Sequence, residues 1–103
     1  MNHIEIRQEV LLSIQKALLD MIYPSIRAIA VGFVGTTKLK VICYLDREPN
    51  EDDYENIAIV TSEVCADIPF TEVEELCIFT TERFSNLDAL ESWVYMRQET
   101  IIL

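Results

Sequence analysis

Two runs rich in β-branched and aliphatic residues flank Gly35-Thr36-Thr37, and they restrict the possible folds more than any other feature of the chain. Residues 25–34 are crowded with Ile26, Ile29, Val31, Phe33 and Val34. Residues 38–45 alternate Leu39, Val41, Cys43 and Leu45 against Lys40, Ile42 and Tyr44. Alternation at a period of two marks a strand, and two such runs about a short glycine-containing loop make an antiparallel hairpin. Gly35 supplies the positive φ the turn needs. Both faces of the hairpin are partly apolar, so it is expected inside a sheet rather than at its edge.

Helical spacing brackets this hairpin. Ile6, Val10, Leu11, Ile14, Leu18 and Met21 recur every three or four residues and predict a helix over 4–22, closed by Tyr23-Pro24 because proline pushes the preceding residue out of the helical region. A second helix is expected over 51–67. Asn50 is its cap, with Asp53 as a shorter version of the capping-box acid. Its buried stripe is Tyr54, Ile57, Val60 or Thr61, Val64 and Ile68, and Pro69 stops it. Residues 72–80 read as a third strand and residues 92–97 as a fourth, separated by a polar stretch at 82–90. The expected order is α-β-β-α-β-β. This is an α+β fold in which two helices pack on one face of a mostly antiparallel four-stranded sheet. With 103 residues and no internal repeat, linker or low-complexity segment, a single domain over 1–103 is expected.

The charge of the chain is concentrated. Residues 46–75 hold 11 of its 18 carboxylates and one base, Arg47, so this stretch carries the whole formal charge of −10. Half of the residues are hydrophobic, so the acidity does not imply disorder. A chain of pI 4.3 is not expected to bind nucleic acid or anionic membranes through charge. No run approaches the roughly 20 apolar residues of a membrane span, and no basic segment followed by an apolar stretch opens the chain as a signal peptide would. Cys43, Cys65 and Cys77 form no Cys-x-x-Cys pair and read as buried thiols of a reducing compartment, so a cytoplasmic location is expected.

Reaction chemistry finds little support. The one histidine, His3, lies next to the N-terminus, where chains fray. One histidine and three scattered cysteines match no zinc spacing. Residues 46–57 alternate oxygen donors like a calcium loop, but Glu51 stands where the loop needs glycine and Ile57 where it needs a bidentate glutamate. Gly32 and Gly35 are too few to write a phosphate-binding fingerprint. No metal, cofactor or enzymatic activity is expected. Tyr44, Tyr54, Trp93 and Tyr95 are expected to pack in or beside the core, with Trp93 and Tyr95 as alternative interface residues.

The acidic block is the remaining candidate. Acids at a helix start serve capping, dipole and solubility. The strand acids Glu72, Glu74 and Glu75 have no such role, and no lysine dilutes the block. Self-repulsion of this kind costs stability, which a basic partner would offset.

Several stretches carry a resemblance. They are Tyr23-Pro24-Ser25-Ile26-Arg27-Ala28-Ile29-Ala30-Val31, Tyr44-Leu45-Asp46-Arg47-Glu48-Pro49-Asn50-Glu51-Asp52, Glu63-Val64-Cys65-Ala66-Asp67, Val73-Glu74-Glu75 and Trp93-Val94-Tyr95-Met96-Arg97. Over residues 11–99 the chain resembles small bacterial immunity proteins of contact-dependent growth inhibition and related polymorphic toxin systems. The resemblance implies a non-catalytic inhibitor that binds the C-terminal toxin domain of its own system in the cytoplasm. Such toxins are often nucleases, whose grooves are basic. The expected contact residues are Asp46, Glu48, Glu51, Asp52, Asp53 and Glu55, with Glu72, Glu74 and Glu75 as a second patch. The alternatives are an acidic interaction or adaptor module without a toxin, and a small carboxylate enzyme.

Overall fold

The computed structural model describes residues 2–99. The hairpin forms as its pattern predicts. Strand β1 (Ile26–Val34) pairs antiparallel with β2 (Lys38–Leu45), from Val34 opposite Lys38 to Ile26 opposite Leu45, and Gly35 turns the chain at φ +52°. It fills the centre of a four-stranded sheet of order β3-β2-β1-β4, where β3 is Glu72–Phe79 and β4 is Ser92–Met96.

Strand β4 lies antiparallel to β1, but β3 runs parallel to β2, from Lys38 opposite Glu72 to Leu45 opposite Phe79. The sheet is therefore mixed, which corrects the expectation of a mostly antiparallel one. The reason is the connection. Helix α2 (Glu51–Asp67) carries the chain back along the sheet before β3 begins, and a helical crossover delivers a parallel neighbour where a tight turn delivers an antiparallel one. Hydrophobic alternation in β3 is the same in either direction.

Helices α1 (His3–Ala17) and α2 cover one face of the sheet. Ile6, Val10 and Ile14 of α1 and Ile57, Val60 and Val64 of α2 meet Ile29, Val31, Leu39, Val41 and Leu45 in one buried cluster. Ile26 joins this face although it is an odd number of residues from Ile29, because a register shift between Ile26 and Ala28 inverts the alternation. Helix α1 ends earlier than its spacing predicts. The Leu18 N–H still reaches the Ile14 carbonyl, but Asp20 then takes φ +65°, so Leu18 and Met21 pack on the core from a turn rather than from the helix.

The other face of the sheet is covered by the stretch read as polar. A short 3-10 turn, Phe84–Asn86, adds an element between β3 and β4, and Phe84, Leu87 and Leu90 lie with Trp93 over Ala28, Ala30, Ile42 and Tyr44. Beneath them strand β1 presents the small residues Ala28, Ala30 and Gly32, which leaves room for them. A Cβ built on Gly32 would stand 3.1 Å from Leu90 Cβ. The Tyr44 hydroxyl donates to the Asp88 carbonyl at 2.9 Å and fixes the crossing. Tyr44 and Trp93, with ring centroids 5.8 Å apart, thus pack as core residues.

Candidate functional site: the acidic surface

The corner between β2 and α2 sorts the candidate acids by role. Asn50 accepts from the Asp53 N–H at 3.1 Å, and Asp53 Oδ2 accepts from the Asn50 N–H at 2.8 Å, a reciprocal capping box. Asp53 is only 2% exposed. It also accepts from Arg47 Nη1 and Nη2, at 2.7 and 3.0 Å, and from the Tyr23 hydroxyl. The Arg47 guanidinium, aided by Tyr23 and the Asn50 N–H, holds its carboxyl down at about 2 against the opposing effect of burial. The same burial and the same bond push the Tyr23 hydroxyl up. Asp53 is inside the fold, where no partner reaches it, so its place in the expected contact set is corrected. It stands in the stripe position assigned to Tyr54, which instead is exposed at the sheet edge.

Asp46 faces solvent but is paired, accepting from Arg97 Nη1 at 2.7 Å. Arg97 also donates to Glu99 at 2.9 Å, and Glu99 accepts two bonds from the buried Arg27, at 2.8 and 2.9 Å. Arg27 lies 4.9 Å from the Phe84 ring centroid and donates to the Thr80 carbonyl. The two guanidiniums, Arg27 foremost, keep the Glu99 carboxyl at about 2. This row of alternating charges ties β1, the start of the covering loop and the segment after β4 together. It lines an open depression of about 440 Å³ with Thr80, Thr81 and Gln98.

Glu74 and Glu75 are neighbours in sequence but point to opposite faces, as strand residues must. Glu74 sits on the loop-covered face, 3.7 Å from Lys38 and 3.5 Å from Lys40. Glu75 faces the helix side, where its charge adds to the burial that pushes up the Cys65 thiol. The second patch is therefore split. It is also remote from the first. Because β3 is parallel to β2, Glu72 lies at the end of the sheet opposite the head of α2, and Glu72 to Phe79 spans roughly 23 Å at about 3.3 Å per residue.

Glu48, Glu51, Asp52 and Glu55 remain exposed at the head of α2, and among the described residues none forms an ion pair. Glu72 and Glu75 on β3 are likewise unpaired. The bases that neutralise Asp46 and Glu74 are Arg97, Lys38 and Lys40. All lie outside residues 46–75, and the pairing pattern that brings them in could not be read from charge runs.

His3 stacks on Phe33 at 4.9 Å and shares a hydrogen bond of 2.8 Å with Glu91, an exposed contact that fastens the start of α1 beside β4. Among the described residues no three His, Cys, Asp or Glu side chains gather as metal ligands, and no helix is long and apolar enough to cross a membrane.

Exposed carboxylates without an ion-pair partner among the described residues thus stand both at the head of α2 and along β3. The chain belongs to the MafI2 immunity protein family, whose model matches residues 7–99. An immunity protein family implies a toxin as partner, which agrees with the resemblance at that level; contact-dependent growth inhibition in particular is not part of the match. No curated protein matches the chain. Among solved structures, a tryptophan-to-alanine variant of the MamM CTD is similar, at 14% identity over 87% of this chain and 93% of that one, with a TM-score of 0.48.

Proposed function

We propose that this protein neutralises the toxin domain of its own polymorphic toxin system in the cytoplasm, that the toxin is a nuclease, and that the unpaired acids at the head of α2 steer the complex. Family membership supports the toxin partner. The observation that carries the interface is what remains after internal pairing: Asp46, Asp53 and Glu74 are matched by cations, while Glu51, Asp52 and Glu55 in the first turns of α2 and Glu48 in the loop just before its cap are left exposed. A basic nuclease groove is complementary to such a field, which raises the association rate and excludes nucleic acid from the same surface.

The test is co-expression with the C-terminal domain of the neighbouring toxin gene. Rescue of growth and copurification are expected, with an association rate that falls steeply as salt rises. Replacing Glu48, Glu51 and Glu55 with Gln and Asp52 with Asn is expected to slow association at least about 10-fold at low salt. A rate indifferent to salt and to these substitutions removes the electrostatic interface. Absence of rescue and of copurification favours an adaptor role instead.

A further inference from the structure

The fold leaves one long strand edge open. Strand β3 closes one side of the sheet, has eight residues, and keeps register with β2 without a shift. The Glu72 N–H donates to the Thr37 carbonyl at 2.9 Å and the Thr80 N–H to the Leu45 carbonyl at 3.1 Å. Even-numbered residues of β3 therefore turn their peptide groups toward β2, and Val73, Glu75, Cys77 and Phe79 turn theirs outward. The Tyr54 hydroxyl, reaching over from α2, donates to the outward carbonyl of Cys77 at 3.4 Å. The outward groups of Val73 and Glu75 have no partner among the described residues. Exposed edges are usually blunted by proline, lysine, a bulge or shortness. The opposite edge, β4, is five residues long with a register shift against β1, whereas β3 has no proline, lysine or bulge, and its protection is the charge of Glu72, Glu74 and Glu75, which does not repel a basic strand. Val73 is 40% exposed beside the open groups, and Phe79 is 41% exposed further along.

The charges on this edge say what fits it. In every antiparallel pairing of β3 with a second copy of itself centred between Glu72 and Glu75, a glutamate meets a glutamate, and like charges directly opposed are destabilising. A strand with basic side chains instead meets Glu72 on one face and Glu75 on the other, both unpaired.

We infer that the open half of β3, from Glu72 to Cys77, is a docking edge that takes an extended basic segment of the toxin domain as a fifth strand. Main-chain hydrogen bonds to Val73, Glu75 and the Cys77 N–H set its register, and Glu72 and Glu75 select its charge. The inference rests on the toxin-neutralising role proposed above, and it assigns to β3 a task distinct from steering by the head of α2.

The variant Glu75→Pro tests it. Proline is tolerated on an edge strand whose N–H faces solvent, yet it removes the central outward donor and places a ring in the path of an added strand. With the neighbouring gene's toxin domain as the probe, Glu75→Pro is expected to weaken binding about 100-fold, the equivalent of two main-chain hydrogen bonds, while Glu75→Gln loses only a few-fold. Hydrogen exchange on the wild-type complex gives a readout independent of the variant's folding. Slowed exchange of the Val73, Glu75 and Cys77 amides on binding is expected. Unchanged exchange at these amides, or a folded Glu75→Pro that binds as tightly as wild type, overturns the docking edge and leaves the toxin-neutralising role standing. A wild-type protein that does not bind the toxin domain overturns both.

Discussion

Arg47 clamps Asp53 with both terminal guanidinium nitrogens, at 2.7 and 3.0 Å, so the one base within the acidic block is committed to its one buried acid. The pair locks the β2–α2 corner, because the same carboxylate closes the capping box on Asn50 and receives the Tyr23 hydroxyl from the segment before β1. What looks in the sequence like one more member of a charge run is the keystone of a turn.

Replacing Asp53 with Ala breaks the helix cap and leaves the half-buried Tyr23 hydroxyl without its acceptor. The expected loss is about 2–4 kcal/mol, combining a lost cap with an orphaned polar group. Urea unfolding of wild type and variant measures it. Glu51→Ala, one residue into the same helix and exposed, is expected to stay within about 0.5 kcal/mol of wild type.

Acid should destabilise the fold in a defined window. Asp53 and Glu99 both titrate at about 2 in the folded protein, against about 3.9 and 4.3 for free side chains. Depressed folded values mean that their contribution is complete above the unfolded values and is lost as pH falls toward the folded ones. Stability is therefore expected to decline from about pH 4.5 down to about pH 2. Chemical denaturation at several pH values reads the slope, which Asp53→Asn is expected to flatten.

Gly32 is required for space rather than for its dihedral freedom. Gly32→Ala drives a methyl group to 3.1 Å from Leu90 Cβ, and Leu90 has little freedom to retreat because its backbone sits at φ +53° with its N–H bonded to Asp88. A destabilisation of about 1–2 kcal/mol is expected from this overpacking. In a double-mutant cycle, Leu90→Gly, which removes that Cβ and suits the positive φ, should recover part of it, since the two sites share one contact.

Arg27 anchors the covering loop. Arg27→Ala removes two bonds to Glu99, one to the Thr80 carbonyl and the contact with Phe84. The expected cost is about 3 kcal/mol, in the range for breaking a buried ion pair. Hydrogen exchange should accelerate at 80–90 before it does in β1 or β2.

The hairpin, both helices and the boundaries of β3 and β4 were legible because each has a local cause: alternation around Gly35, apolar spacing in α1 and α2, the Asn50 cap, the stop at Pro69. The capping role of Asp53 was legible too, from its place three residues after Asn50. Its burial was not, since a capping acid usually faces water and the groups that draw this one inward, Arg47 and Tyr23, lie six and thirty residues away. The covering loop was hidden for a related reason. Phe84, Leu87 and Leu90 are spaced by three within a polar stretch, a pattern that says nothing until the small residues Ala28, Ala30 and Gly32 are seen beneath them.

By itself the sequence determined which segments become helix or strand, and that the chain carries its net charge in residues 46–75, because periodicity, turns, caps and charge are all settled over a few residues. The direction of β3, the split of Glu74 from Glu75 around it, and the division of the acids into paired and unpaired were decided only by the tertiary structure. These depend on which strand lies beside β2 and which bases that pairing brings near, and non-local pairing leaves no trace in local pattern.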